Sequence, residues 1–457
     1  MDTISPKTRP IPVHPGLPVV GNSLEYIRDP LAFMRRLLHQ YGDERIVQIN
    51  VGGRITHLML KPEETKQVLQ ENNRNYGRGK SFAILRAFLG EGLLTSEGDF
   101  WRRQRRLAQP AFHRQKLATL ATTMIDEAVA WVDRLAKQDH TKPVNISTAT
   151  TDATLRIVTK TLFGAGLGPE LDQISTALNN LNFIANRRVL NPLKLPKWVP
   201  TPDNRAFDKA YQTVDSLIYS IVDDRRRTGA NHDDLLDMYL RATDEETGEG
   251  MSNKQLRDEM VTLFVAGYET TATSLAWTLH LLAQHPNVLI KAQTELSQVL
   301  GQRDRPSPDD LRSLPYLSQV INESLRLYPP AWIMSRLSFG PDQLGDHRIE
   351  ESQGVLLCPY VLHHDAATWP DPEQFDPERF AGDWSKDKHP YAFLPFGGGP
   401  RLCIGNQFAL MEMHAILATL IHRFSVRPAS TKPVDTRPLI TLRSKRPIQL
   451  FLASKSA

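Results

Sequence analysis

The tightest constraint on this chain is a run without proline from Ser252 to His285, closed by Pro286. A helix of roughly 33 residues, rising 1.5 Å at each, is about 50 Å long and crosses an entire domain. Ser252 with Gln255 three residues on forms a capping-box signature at its start, and Pro286 ends it. The centre, LFVAGYETTATSLAWTL, is apolar on nearly every face, which predicts a buried central helix over 252–285. Two features break the apolar rule. Gly267 weakens a helix by roughly 1 kcal/mol relative to alanine, and Glu269, Thr270 and Thr271 are polar where burial is costly. Either the glycine eases helix packing while the threonines bond back one turn, or a flat ligand approaches the backbone there while the acid and hydroxyl handle protons.

Around this helix the pattern is mainly α with small β-sheets, an α+β class expected to form one large domain over 1–457. ERIVQINVGGRITHLML reads as two strands about a Gly52-Gly53 hairpin turn. PLITLRSKRPIQLFLA suggests a small terminal hairpin. Helical patterns dominate from residue 99, interrupted at 190–202 and at the acidic stretch 242–251, neither long enough for an interdomain linker. The lead, residues 1–22, is broken by prolines and holds no apolar run of signal-peptide or membrane-span length. A soluble, cytoplasmic protein with no membrane anchor is expected. A net charge of +4 over 457 residues is too mild to imply nucleic acid, and two cysteines make no disulfide framework.

Four segments carry chemistry-bearing residues. FLPFGGGPRLCIG, 393–405, sets Cys403 in a glycine-rich loop. A zinc site is disfavoured, because no other Cys or His stands at ligand spacing. Glu323 and Arg326 stand three apart on a helix that ends before Pro329-Pro330, so they can pair on one face. WPDPEQFDPERF, 369–380, is a proline-punctuated loop carrying Arg379. DFWRRQRRLAQPAFHRQK has no acid between Arg102 and Lys116; it is either a solvated face or, with Trp101 and Arg105 four apart, a donor pair for a carboxylate-bearing ligand.

In this order AGYETT, ESLR, DPERF and FGGGPRLCIG resemble the cytochrome P-450 family, the heme-thiolate monooxygenases, and the resemblance covers essentially the whole chain. It implies the fold of that family and a heme b cofactor, with Cys403 the thiolate ligand of its iron, a ligand that favours O–O cleavage. Phe396 would pack beside the sulfur, with Leu93, Ala266 and Gly267 against the macrocycle. Trp101, Arg105, Arg336 and Arg401 look like donors to the heme propionates, and Glu323, Arg326 and Arg379 like the lock that holds the Cys loop. Thr270 and Glu269 resemble the family's alcohol and acid pair that delivers protons to bound dioxygen. Phe88, Leu89, Leu94, Phe264, Ala266, Ala331, Trp332 and Ile440 are its substrate-contact candidates, nearly all apolar, which implies an apolar substrate such as a fatty acid or terpenoid.

The chain ends soon after the terminal hairpin, so electrons are expected from NAD(P)H through a separate ferredoxin or flavodoxin type partner. The basic run after Trp101 is the expected docking face for such an acidic protein. Hydroxylation or epoxidation of the lipophilic substrate is the leading expectation. A peroxide-driven peroxygenase and a non-catalytic heme binder or gas sensor are the alternatives, and the proton-relay pair argues against both.

Overall fold

Strand Ile46–Val51 turns through Gly52 and Gly53, with φ of 64° and 73°, into strand Arg54–Met59. Val51 pairs with Arg54, so the loop is the two-residue turn whose central positions both favour glycine. The computed structural model describes residues 9–79, 82–164, 169–190, 199–229, 232 and 234–455. The expected interruption at 190–202 lies largely outside them. The chain divides into two units, one of residues 1–81, 322–403 and 440–442, the other of residues 82–321, 404–439 and 443–457.

In the first unit the hairpin becomes part of a five-stranded sheet. Arg54–Met59 pairs in parallel with Gly354–Leu357, which pairs antiparallel with Met334–Ser338, and this with Tyr76–Gly77. Side chains alternate between the two faces of the sheet. Val47, Ile49 and Leu58 join Phe33, Met34, Leu37 and Trp332 in one core, while Ile46, Met59, Val355 and Leu357 join Leu69, Tyr391 and Leu394 in another.

The helix Pro315–Leu327 contributes Glu323 and Arg326, both wholly buried. Arg326 donates Nε to Glu323 Oε2 at 2.7 Å and Nη2 to Oε1 at 2.8 Å. Its remaining N–H groups reach the carbonyls of His363 (2.8 Å), Pro372 (2.8 Å) and Gln374 (3.2 Å). Glu323 also accepts the Asp376 N–H at 3.0 Å, and Arg379 Nε lies 3.4 Å from it. The lock expected from the sequence is therefore present, with the 372–376 backbone as its main partner. His363 extends it: burial holds its imidazole well below the usual range, so the neutral ring donates Nδ1–H to Arg326 O (3.2 Å) and accepts the Leu394 N–H on Nε2 (2.8 Å).

In the second unit the central helix spans Asn253–Gln284, with the Ser252–Gln255 capping box formed. The helix Ile146–Phe163 packs along it. Thr150 and Thr154 donate their hydroxyls across the interface to the carbonyls of Ala272 and Tyr268, each at 3.1 Å. Gly267 lies in the same contact, where an added Cβ would come 3.1 Å from Val158 Cγ2. The terminal hairpin is corrected: Gln449–Ser454 pairs with Phe424–Pro428 on one side and Val144–Asn145 on the other. Local alternation marks a strand but does not choose its neighbour.

Removing Arg326 takes two of the donors from a buried carboxylate and one from each of three carbonyls. Arg326→Ala is expected to destabilise the protein by about 3–5 kcal/mol, and Arg326→Lys to recover only part of this, since one ammonium cannot serve five acceptor atoms. Urea unfolding of the two variants measures both effects.

Candidate functional site

The cysteine loop of the first unit is shaped by glycines that cannot be replaced. Gly397 and Gly399 have φ of 73° and 66°. A Cβ on Gly399 would stand 1.9 Å from Leu69 O, and one on Gly398 2.6 Å from the Tyr391 ring. Tyr391 is anchored in turn by donating to Gln70 Oε1 at 2.8 Å. The backbone then closes through Gly397 N–H to Leu394 O (3.1 Å) and Cys403 N–H to Phe396 O (3.0 Å). The loop is thus anchored at its root by His363 through Leu394 N–H, and it presents the Cys403 side chain outward, exposed. Cys358 is the opposite case. It is fully buried, its thiol donates to Trp332 O at 3.2 Å, and burial pushes it up to about 12. A packed thiol and a presented thiol are therefore told apart by their surroundings.

In the second unit the central helix is buried from Leu256 to Ala283 except at five positions: Ala266 is exposed and Leu263, Val265, Gly267 and Thr270 are partly exposed, all but Val265 on one strip. Positions 263, 266, 267 and 270 share one helical face. Thr270 donates to Ala266 O at 2.7 Å and Thr271 to Gly267 O at 2.9 Å, so the back-bonding read from the sequence is present, and the Thr270 oxygen keeps its lone pairs for an incoming donor. Glu269 points about 100° away around the axis. Its carboxylate is buried and takes Arg443 Nη2 at 2.7 Å and Nε at 3.1 Å, and Arg443 is itself 42% exposed. Tyr268, Glu269, Ala272 and Arg443 line a cavity of about 340 Å³ with Ser147 and Lys445. The acid is thus linked toward solvent on a different side of the helix from the hydroxyl.

Other expected residues fall in several environments. Trp101 and Arg336 are nearly buried, and Arg336 donates to Ser335 O at 2.9 Å; Arg105 and Arg401 are partly exposed, as are Phe396, Leu94 and Ile440. Phe88, Leu89, Leu93 and Phe264 are buried. Trp332 is buried in the sheet core with Phe33 and Leu58, while its neighbour Ala331 is exposed. The basic run is also corrected at two positions. Arg106 pairs with Asp244 (3.1 Å) and Glu246 (2.8 Å), and Arg103 with Glu249 (3.3 Å), so the acidic stretch 242–251 neutralises them. Arg114 and Lys116 remain exposed.

Sequence reasoning missed the buried acids. Asp258 and Glu259, in the first turns of the central helix, accept the N–H groups of Glu91 (2.9 Å) and Leu93 (3.1 Å). Glu412, on the helix Asn406–Arg423, is wholly buried against that helix near Thr271. The available signal was two adjacent acids, Asp258-Glu259, entering an apolar helical run.

A cytochrome P450 family model matches residues 11–451. A cyclooctat-9-en-7-ol 5-monooxygenase of Streptomyces melanosporofaciens is 36% identical over 413 residues, 90% of this chain and 88% of its own. A cyclooctatin synthase of the same organism is 36% identical over 434 residues, covering 93% and 92%. A cytokinin hydroxylase of Arabidopsis thaliana is 35% identical over 429 residues, covering 90% and 82%.

Burial raises Glu259 to about 8 and Glu412 well above the carboxylate range. Above the ordinary glutamate value of 4.5 the folded protein holds protons that the unfolded chain has released, so this contribution is complete below that pH and is lost as pH rises toward 8. Glu259→Gln is expected to lose this dependence. Its stability relative to the unaltered protein should rise between pH 5.5 and 7.5 by up to about 1.4 kcal/mol per unit, read from urea unfolding.

Proposed function

The chain belongs to the cytochrome P450 family, whose cofactor is heme and whose members are monooxygenases, and from that premise we propose that Cys403 is the thiolate that holds the iron. The observation that carries this reading is the contrast between two thiols. Cys358 is sealed in a core with a raised pKa, while Cys403 is presented by a loop that tolerates no Cβ at Gly399. A thiolate ligand needs an outward sulfur on a rigid support, and the Cys403 loop supplies both. Ala266 at the centre of the open strip fits the second requirement, an apolar helical surface without bulk on which a flat macrocycle can lie. When bound, the heme supplies activation of dioxygen for transfer of one oxygen atom to substrate.

The residues of the chain then have separable tasks. Arg336, Arg401, Arg105 and Trp101 supply the donors for two propionates, which would be costly to bury without partners. Phe396, Leu93 and Gly267 give the macrocycle apolar contact. Thr270, already committed as a donor to Ala266 O, accepts a hydrogen bond on its free lone pairs and orients the water that carries a proton inward. Glu269 takes protons from the solvent side, where Arg443 Nη2 holds its carboxyl group in place at 2.7 Å at the edge of the cavity. Phe88, Leu89, Leu94, Phe264, Ala266, Ala331 and Ile440 remain the contact candidates for substrate. They favour a lipophilic small molecule of the fatty-acid or terpenoid class, and the likeness to a cyclooctat-9-en-7-ol 5-monooxygenase favours a terpenoid. NAD(P)H electrons would come through a ferredoxin or flavodoxin type partner, with Arg114 and Lys116 replacing Arg103 and Arg106 as the docking charges, in a single cytoplasmic domain. Among the described residues no helix is long and apolar enough to cross a membrane.

The reduced protein under carbon monoxide is expected to absorb at about 450 nm, the signature of thiolate ligation. Cys403→Ser should lose that band while Cys358→Ser keeps it; a band retained in Cys403→Ser rejects the assignment. Thr270→Ala is expected to bind substrate normally but to divert electrons into hydrogen peroxide, measured as product formed per NAD(P)H consumed. Unchanged coupling removes Thr270 from proton delivery.

A further inference from the structure

Residues 90–95 lie backbone-first on the first turns of the central helix. Gly90, with φ of 72°, would drive a Cβ to 2.2 Å from the Asp258 carboxyl, and Gly92 would drive one to 2.2 Å from Thr262 Oγ1 and 2.7 Å from Asp258 O. Contact this close leaves no room for a side chain at either position. The two acidic side chains do the holding. Asp258 Oδ2 accepts the Glu91 N–H at 2.9 Å, and Glu259 Oε2 accepts the Leu93 N–H at 3.1 Å. Neighbouring residues on a helix diverge by about 100°, so two adjacent acids reach two amides that are two residues apart in the loop.

The clamp is supported from both sides. Asp258 is fixed by Arg257 Nη1 and Lys254 Nζ, each at 3.0 Å, and Arg257 also donates to Phe88 O at 3.1 Å. Within the loop Thr95 donates to Gly90 O at 2.6 Å, and Arg86 donates to Thr95 O at 2.7 Å. Thr262, which meets Gly92, is followed at once by Leu263, the first member of the open strip, and Ala266 is one turn further. The loop therefore ends where the strip begins, with Leu93 buried and Leu94 partly exposed at the junction.

We propose that Asp258 and Glu259 are positioning residues that fix residues 90–95 as the end wall of the substrate site, so that this chain selects ligands by how far they extend along the helix. The proposal rests on the heme monooxygenase reading for the identity of the strip. Asp258 Oδ2 and Glu259 Oε2 are taken by backbone amides while Glu259 Oε1 is buried without a partner, and the loop side chains at the junction are Leu93 and Leu94. Discrimination there is consequently by apolar length, each methylene that reaches the wall adding up to about 0.8 kcal/mol.

The test uses the heme-loaded protein and a series of 1-alkylimidazoles, from methyl to dodecyl, with imidazole as the ligand that does not reach the wall. Glu259→Ala is expected to weaken the dodecyl probe about tenfold while leaving imidazole within about twofold. Glu259→Gln keeps a carbonyl acceptor for Leu93 and should retain the unaltered chain-length profile. Gly92→Ala lifts the loop with both acids in place and should reproduce the loss. An unchanged profile in Glu259→Ala and Gly92→Ala, or equal weakening of imidazole and the long probes, overturns the proposal. Hydrogen exchange of the unaltered holoprotein gives a readout free of folding failure: the amides of Glu91 and Leu93 should exchange slowly, and exchange at the rate of an open loop overturns the clamp. Absence of the thiolate band from the unaltered protein defeats the heme reading instead, and is read in the same samples.

Discussion

The first unit depends on one buried ion pair. Glu323 and Arg326 have no exposed surface, and an isolated charge in that position would cost several kcal/mol. The pair is tolerated because every available donor of Arg326 is used, two on Glu323 and three contacts on carbonyls of residues 363–374. Its consequence is positional. The guanidinium gathers the backbone of a loop that has little regular structure of its own, and His363 passes that order to Leu394, at the root of the glycine-rich turn. Presentation of Cys403 is downstream of a salt bridge whose net energy is modest and whose geometry is exacting.

In the second unit the central helix does different work on each face. One face is a packing surface, where two threonine hydroxyls and the missing Cβ of Gly267 bring the helix Ile146–Phe163 close. A second is the open strip around Ala266 and Thr270. A third carries Glu269 to Arg443 and the cavity. The first turns grip residues 90–95. A helix this deeply buried lacks an obvious polar face, and Asp258, Glu259, Glu269, Thr270 and Thr271 each have a specific partner.

Much of this was legible beforehand. The capping box at Ser252, the stop at Pro286 and the turn at Gly52-Gly53 appear where the residues put them, and the back-bonding of Thr270 and Thr271 is present. The lock of Glu323, Arg326 and Arg379 was recognised only through the order of motifs, since an acid and a base three residues apart are common on any helix. The core packing of Trp332 is not legible locally, because an aromatic beside a proline pair reads alike whether it lines a pocket or fills a core. Arg103 and Arg106 read locally as part of a basic face because their acidic partners lie well over a hundred residues away. The terminal strand was given a neighbouring partner when its actual ones come from residues 424–428 and 144–145.

By itself the sequence determined the length and ends of the central helix, the hairpin, and the setting of one thiol among glycines, since each follows from backbone preferences acting over a few residues. Only the tertiary structure decided which charges are neutralised, which face of the helix stays open, and why two acids stand side by side at 258 and 259. Those outcomes depend on segments remote along the chain arriving within hydrogen-bonding distance, and a side chain carries no local mark of the partner it will meet.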